Sequence, residues 1–133
     1  ALSSAKLEAK QARLEARREL LQDVYDDVES EIAALEGERR EALTRTLLSA
    51  AAPEFEGADS ARVRGREEDA DLLEMICEDH DGFEVGEPVD CLGGVVVESE
   101  GSRVRVNNTF DSVLEEVWED NLREISERLF EER

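Results

Sequence analysis

Cys91-Leu92-Gly93-Gly94-Val95-Val96-Val97-Glu98-Ser99-Glu100-Gly101-Ser102-Arg103-Val104-Arg105-Val106-Asn107-Asn108-Thr109-Phe110 reads as a β-hairpin that runs into a helix. Val95 to Val97 are consecutive β-branched residues, and Val104 and Val106 alternate with Arg103 and Arg105. Glu100-Gly101-Ser102 supplies the turn, with a glycine free to take positive φ. The pattern predicts strands over 93–99 and 102–107. Asn108 or Thr109 then caps a helix over 109–131, whose apolar residues Val113, Leu114, Val117, Leu122, Ile125, Leu129 and Phe130 recur at helical spacing.

Upstream of the hairpin, Val63 between Arg62 and Arg64 predicts a short strand over 61–66. Residues 67–79 read as a helix with Leu72, Leu73, Ile76 and Cys77 inward, closed by Asp81-Gly82, and 83–85 as a further strand. A four-stranded sheet packed with helices accounts for this order. Phe110, Trp118 and Phe130 are expected mainly in the core, with room for one to face a partner.

The N-terminal third is different. Residues 2–36 lack Gly and Pro and are rich in Ala, Leu, Glu, Arg and Gln, all strong helix formers. Leu7, Leu14, Leu21, Val28 and Leu35 fall seven apart. The second heptad position is weaker, with Ser4, Gln11 and Arg18 preceding Tyr25 and Ile32. Ala5, Ala9, Ala12, Ala16 and Leu20 form another stripe containing two 11-residue steps, the period of right-handed supercoils. Neither stripe can be buried by a lone helix, so the segment needs a partner. From Leu21 onward the stripes merge into one apolar face, which predicts that the first half of the helix leaves the domain and the second half packs on it. Gly37 breaks the helix; a second helix resumes over 38–52 and stops at Pro53. The fold class is therefore α+β: a long N-terminal helix (1–36) followed by a small globular domain (37–133).

Charge excludes several functions. Asp and Glu total 36 against 16 Lys and Arg, a net charge of −20. Such a surface repels nucleic acid and anionic lipid. It suits a high-salt cytoplasm, where screening makes dense carboxylates tolerable. No apolar run approaches the roughly 20 residues that span a bilayer, so direct membrane insertion is not expected. The chain starts at Ala1 already in helical pattern and reads as an N-terminally truncated fragment.

The residues offer little chemistry. Gly93-Gly94 lacks the Lys-Ser/Thr of a phosphate loop and fits a bend or close backbone approach. Asn107-Asn108-Thr109 matches a glycosylation sequon but fits helix capping better, with Ser112 and Glu115 offering a second capping box. His80 is the sole histidine and reads as an exposed helix-end residue. Cys77 and Cys91 lack metal-ligand spacing and read as free, semi-buried thiols. The acidic clusters, Glu67-Glu68-Asp69 with Asp71 and Glu74 and then Asp79 with Asp81, resemble the solvated faces of every other helix here. No catalytic, cofactor or metal residue is expected, and no cofactor.

The order Gly-Gly-Val-Val-Val-Glu, a short turn, Arg-Val-Arg-Val-Asn-Asn-Thr-Phe, then Leu-Glu and a helix ending Leu-Phe resembles the C-terminal domain of the E subunits of archaeal A-type (V/A-type) ATP synthases. Gly93, Gly94, Arg105, Asn108, Thr109 and Phe110 match that pattern as fold determinants. The resemblance implies a non-catalytic peripheral-stalk (stator) subunit. It would link the ATP-hydrolysing head to the membrane sector and resist torque during proton-coupled ATP synthesis. It implies three partners: a second helical stalk subunit in a coiled coil, the N-terminal region of the non-catalytic head subunit, and the membrane stator subunit through the missing N-terminus. It also implies a peripheral location on the cytoplasmic face of the cell membrane. Ala5, Leu7, Ala9, Ala12, Leu14, Ala16, Leu20 and Leu21 are the candidate partner seam. Two alternatives stand beside this: a self-associating structural module, homodimeric when isolated, and a small metal-dependent enzyme.

Overall fold

The computed structural model describes residues 2–129. Helix α1 (Leu2–Ala33) is followed by α2 (Gly37–Ala51) and a 3-10 turn over Ala52–Phe55 that carries Pro53. Strand β1 (Ala61–Arg64) leads through a 3-10 turn at Glu67–Asp69 into α3 (Ala70–Cys77). Strands β2 (Phe83–Val85), β3 (Gly94–Ser99) and β4 (Arg105–Thr109) precede the final helix α4 (Phe110–Leu129). The α+β expectation is met: a long helix, then a four-stranded sheet with helices.

Strand order is β2-β1-β3-β4, with β1 and β2 parallel and the other neighbours antiparallel. The parallel pair needs a crossover, and α3 provides it. Alternation decides which face is buried. Ala61, Val63, Val95 and Val97 point into the core with Leu47, Leu48, Phe55, Leu73, Ile76 and Phe110, while Phe83, Val85, Val104 and Val106 pack at its margin. Register places Arg62, Arg64, Glu84, Val96, Glu98, Arg105 and Asn107 on the opposite face.

Several boundaries differ from the sequence reading, each for a local reason. The first strand ends at Arg64, because Gly65 and Arg66 already turn the chain toward Asp69. The expected 67–79 helix is a 3-10 turn plus a short α3, and 78–82 form turns. The last strand runs later than expected. A 3-10 turn at Glu100–Ser102, with Gly101 at φ 80°, takes up the turn residues, and the ladder continues to Gly94 opposite Thr109. Helix α4 accordingly begins at Phe110. The far end of the 109–131 helix expected from sequence, and Phe130 with it, lies outside the described residues.

Helix α1 changes character along its length. From Ser3 to Leu20 every residue is exposed except half-buried Arg17. From Leu21 on, Val24, Tyr25, Val28, Ile32 and Leu35 are half-buried, and Ile32 and Leu35 pack against the core.

Candidate functional site

The most heavily bonded feature among the described side chains is the joint where α1 meets the sheet and its helices. Arg40, in the first turns of α2, is only 5 % exposed as a side chain, and Asp69 is 4 % exposed. Arg40 donates from Nε to both Asp69 oxygens (2.9 and 3.1 Å) and from Nη2 to Oδ2 (2.9 Å). Its remaining donors reach the carbonyls of Leu35 (3.0 Å) and Leu92 (2.6 Å). The guanidinium lies 5.1 Å from the centroid of the buried Phe110 ring. Arg66 adds a bond from Nη2 to Asp69 (3.0 Å) and one from Nη1 to the carbonyl of Ala33 (3.5 Å).

This arrangement solves a specific problem. The last carbonyls of a helix have no intrahelical partner and carry the negative end of its dipole. Ala33 is the last residue of α1, and Leu35 follows it closely. Two guanidiniums therefore close the end of α1, and one buried carboxylate holds both of them. A buried charge is tolerated only when it is paired and hydrogen-bonded. Arg40 meets that condition with five bonds.

Gly93-Gly94 sits against the same joint. A Cβ on Gly93 (φ 150°) would meet Arg40 Nη2 and, at 2.5 Å, the Phe110 ring; one on Gly94 (φ 82°) would lie 2.6 Å from the Asn108 carbonyl. The pair thus permits a close approach of backbone, Arg40 and Phe110. The other residues of that motif are also placed. Asn108 Nδ2 donates to the Leu47 carbonyl (2.9 Å), tying β4 to α2. Thr109 caps α4, its Oγ1 accepting from the Ser112 amide (3.2 Å), while Asn107 Oδ1 accepts from the Thr109 amide and hydroxyl. Arg105 lies outside the core, with Nε 3.4 Å from Glu98.

A second feature is the groove between α1 and α4. Tyr25 and Trp118 meet edge to face, with centroids 5.1 Å apart at 81°. Arg18, Leu21, Gln22, Glu115, Glu119 and Leu122 complete the lining. Partial burial, then the carboxylates of Glu29, Glu115, Asp111 and Asp26, push the Tyr25 hydroxyl pKa up. Of the candidate seam, Ala5, Leu7, Ala9, Ala12, Leu14, Ala16 and Leu20 are exposed on the first half of α1, whereas Leu21 is half-buried at the groove. Leu7, Leu14 and Leu20 are 56 %, 41 % and 42 % exposed, large apolar side chains facing solvent in the isolated chain, Leu7 and Leu14 on one face of α1 and Leu20 with the alanines on another.

His80 is half-buried, not exposed, because it stacks on Phe83 at 5.8 Å. Both cysteines are free. Burial, aided by Glu74, raises the Cys77 thiol to about 11, and burial also raises Cys91. Among the described residues no group of three or more His, Cys, Asp or Glu side chains could hold a metal ion, and no helix is long and apolar enough to cross a membrane.

Sequence reasoning missed Arg40, Asp69 and Arg66. One signal was available: Arg40 extends the buried α2 stripe of Thr44, Leu47, Leu48 and Ala51 back by one turn. Asp69 carried none, lying in an acidic run beside exposed Glu67 and Glu68.

Comparison with known proteins adds the family. Residues 1–130 match the family described as ATP synthase (E/31 kDa) subunit. The chain is 77 % identical over 131 residues to the E subunit of the A-type ATP synthase from Natronomonas pharaonis, covering 98 % of this chain and 68 % of that protein. The protein of the same name from Haloarcula marismortui is 64 % identical over 99 % of this chain and 68 % of its own length. That from Methanocella arvoryzae is 32 % identical, over 99 % and 67 %. The chain therefore belongs to the ATP synthase E subunit family.

Proposed function

We propose that this chain is a non-catalytic peripheral-stalk subunit of a halophile's A-type ATP synthase, working as a mechanical strut. The single observation that carries this is the joint: α1 leaves the body as a long, solvent-exposed helix, yet its end is fastened by Arg40, Asp69 and Arg66. A strut must transmit force from its shaft to its foot without bending at the junction, and buried bidentate ion pairs resist displacement in more than one direction. Residues 1–36 form the shaft and 37–133 the foot.

The exposed stripe of Leu7 and Leu14, continued by Leu21 into the α1–α4 groove, and the stripe of Ala5, Ala9, Ala12, Ala16 and Leu20 on the opposite side of α1 are the surfaces that a second stalk subunit covers. Small residues admit a close helix approach, and the leucines supply the apolar area that one helix cannot bury alone. The foot contacts the head at the N-terminal region of its non-catalytic subunit, and the far end of the stalk reaches the membrane stator subunit, on the cytoplasmic face. The net charge of −20 fits work in molar salt.

Co-purification with the helical stalk partner in molar salt, followed by mass determination of the complex, tests this. Leu7→Asp with Leu14→Asp alters only exposed positions, so the foot stays folded. A defined heterocomplex lost in this variant supports the reading. Failure of the unaltered chain to bind the partner, or self-association in its place, contradicts it.

A further inference from the structure

We propose that the outward face of the sheet, around Arg62, Arg64 and Arg105, is a docking surface for a carboxylate-rich protein surface. The inference rests on the stalk reading above and deepens it, the partner surface belonging to another subunit of the same complex. The sequence holds only 16 cations against 36 carboxylates, so grouped arginines are a departure from the surface as a whole. Arg62 and Arg64 stand on β1 and Arg105 on β4, on the face opposite the core, and exposed Arg103 precedes β4. Strand geometry puts Arg62 and Arg64 about 7 Å apart, and β1 and β4, flanking β3, about 10 Å apart.

Between them lies Glu98, 17 % exposed, paired to Arg64 at 2.9 Å and to Arg105 at 3.4 Å. Arg64 is further held by the Glu87 carbonyl (2.9 Å). One internal carboxylate thus positions two of the guanidiniums. Arg62 is exposed and makes no ion pair among the described residues, and Arg105 is 58 % exposed. The result is a group of planar forks carried on strands rather than loops, two of them held by Glu98 and the third, Arg62, standing opposite Glu84 of β2, with a geometry suited to carboxylates.

Electrostatics selects the class of partner. At molar salt the Debye length is about 3 Å, so the repulsion between two acidic proteins is screened while pairs in contact still interact. Association of two such surfaces then depends on local charge matching, which this face supplies. Polyphosphates bind through counterion release, a driving force that collapses at the same salt concentration, which disfavours nucleic acid.

The test is arginine footprinting with phenylglyoxal on the detergent-solubilised complex containing the full chain, compared with the isolated chain, in molar KCl. Exposed Arg39 gives the reference for access and buried Arg40 the reference for protection. Arg62 and Arg105 are expected to react at least ten-fold more slowly in the complex. Arg62→Glu with Arg105→Glu, checked for an unchanged thermal midpoint, is expected to retain the helical stalk partner and lose the remaining subunits. Unchanged reactivity of Arg62 and Arg105 within an assembled complex overturns this inference alone, as does normal assembly of the double variant. Protection seen only in native membranes and absent in detergent overturns it in favour of lipid. A chain that enters no complex overturns both this inference and the stalk reading.

Discussion

Asp69 holds two arginines at once, accepting from Arg40 on one side and Arg66 on the other, and those arginines bind the carbonyls at the end of α1. Asp69 and Arg40 are 29 residues apart in sequence, so the pair closes a loop spanning α2, β1 and the turn before α3. Removing the carboxylate leaves a buried guanidinium uncompensated. Asp69→Asn is expected to cost about 3–5 kcal/mol, read from chemical denaturation at fixed salt. The pair-deleting Arg40→Met with Asp69→Leu is expected to cost less than Asp69→Asn alone, because the fully buried Arg40 charge is then gone and only Arg66, 23 % exposed, loses its carboxylate. Equal costs for the two would remove the electrostatic account of the joint.

Gly93 is where backbone, cation and ring crowd together. A methyl group there would collide with Arg40 and Phe110, in a backbone conformation that side chains rarely adopt. Gly93→Ala is therefore expected to destabilise by more than about 1 kcal/mol and to lower the thermal midpoint by several degrees. Gly57→Ala, with open space around it, is the control and is expected to change little.

Trp118 is the single tryptophan and lies edge-on to Tyr25, so its fluorescence reports the α1–α4 contact directly. Tyr25→Ala is expected to shift its emission to the red and to cost about 1 kcal/mol from loss of the aromatic pair, besides the lost burial. An unshifted spectrum would mean that the two helices do not pack in solution as they do here.

The thiols give a pH test. The Cys77 thiol titrates near 11, against 9.0 for a free thiol, because burial and Glu74 disfavour the thiolate. Protons are then held more tightly by the folded chain than by the unfolded one. Stability contributed by this group is complete below pH 9 and is lost as pH rises toward 11. Cys77→Ala is expected to flatten that segment of the stability–pH profile. At pH 8, modification of Cys77 by a thiol reagent is expected to be slower than that of half-buried Cys91.

How far the sequence could be read depends on the type of signal. Val95, Val97 and the alternating Val104 and Val106 pack on the core side, because burial of an alternating face is a local property, while Val96 is buried on the opposite face. Asn107-Asn108-Thr109 misled on the strand end: these are turn and cap formers, yet pairing with β3 carries them into the ladder before Thr109 takes up its cap. The joint was hidden for a different reason. Arg40 is marked only by its place one turn before the buried α2 stripe and Asp69 by nothing, in a chain with 39 % charged residues, and only the fold brings them together.

The central claim is that the joint fixes the direction of the shaft relative to the foot. The most direct measurement is the distance distribution between spin labels at Ala9, on exposed α1, and Glu54, on the foot, with Cys77 and Cys91 replaced by Ala. The account predicts one narrow distribution that broadens markedly in Arg66→Gln and further in Asp69→Asn, while the near-ultraviolet spectrum of the foot is retained. A distribution already broad in the unaltered joint, or one equally narrow in both variants, would contradict it.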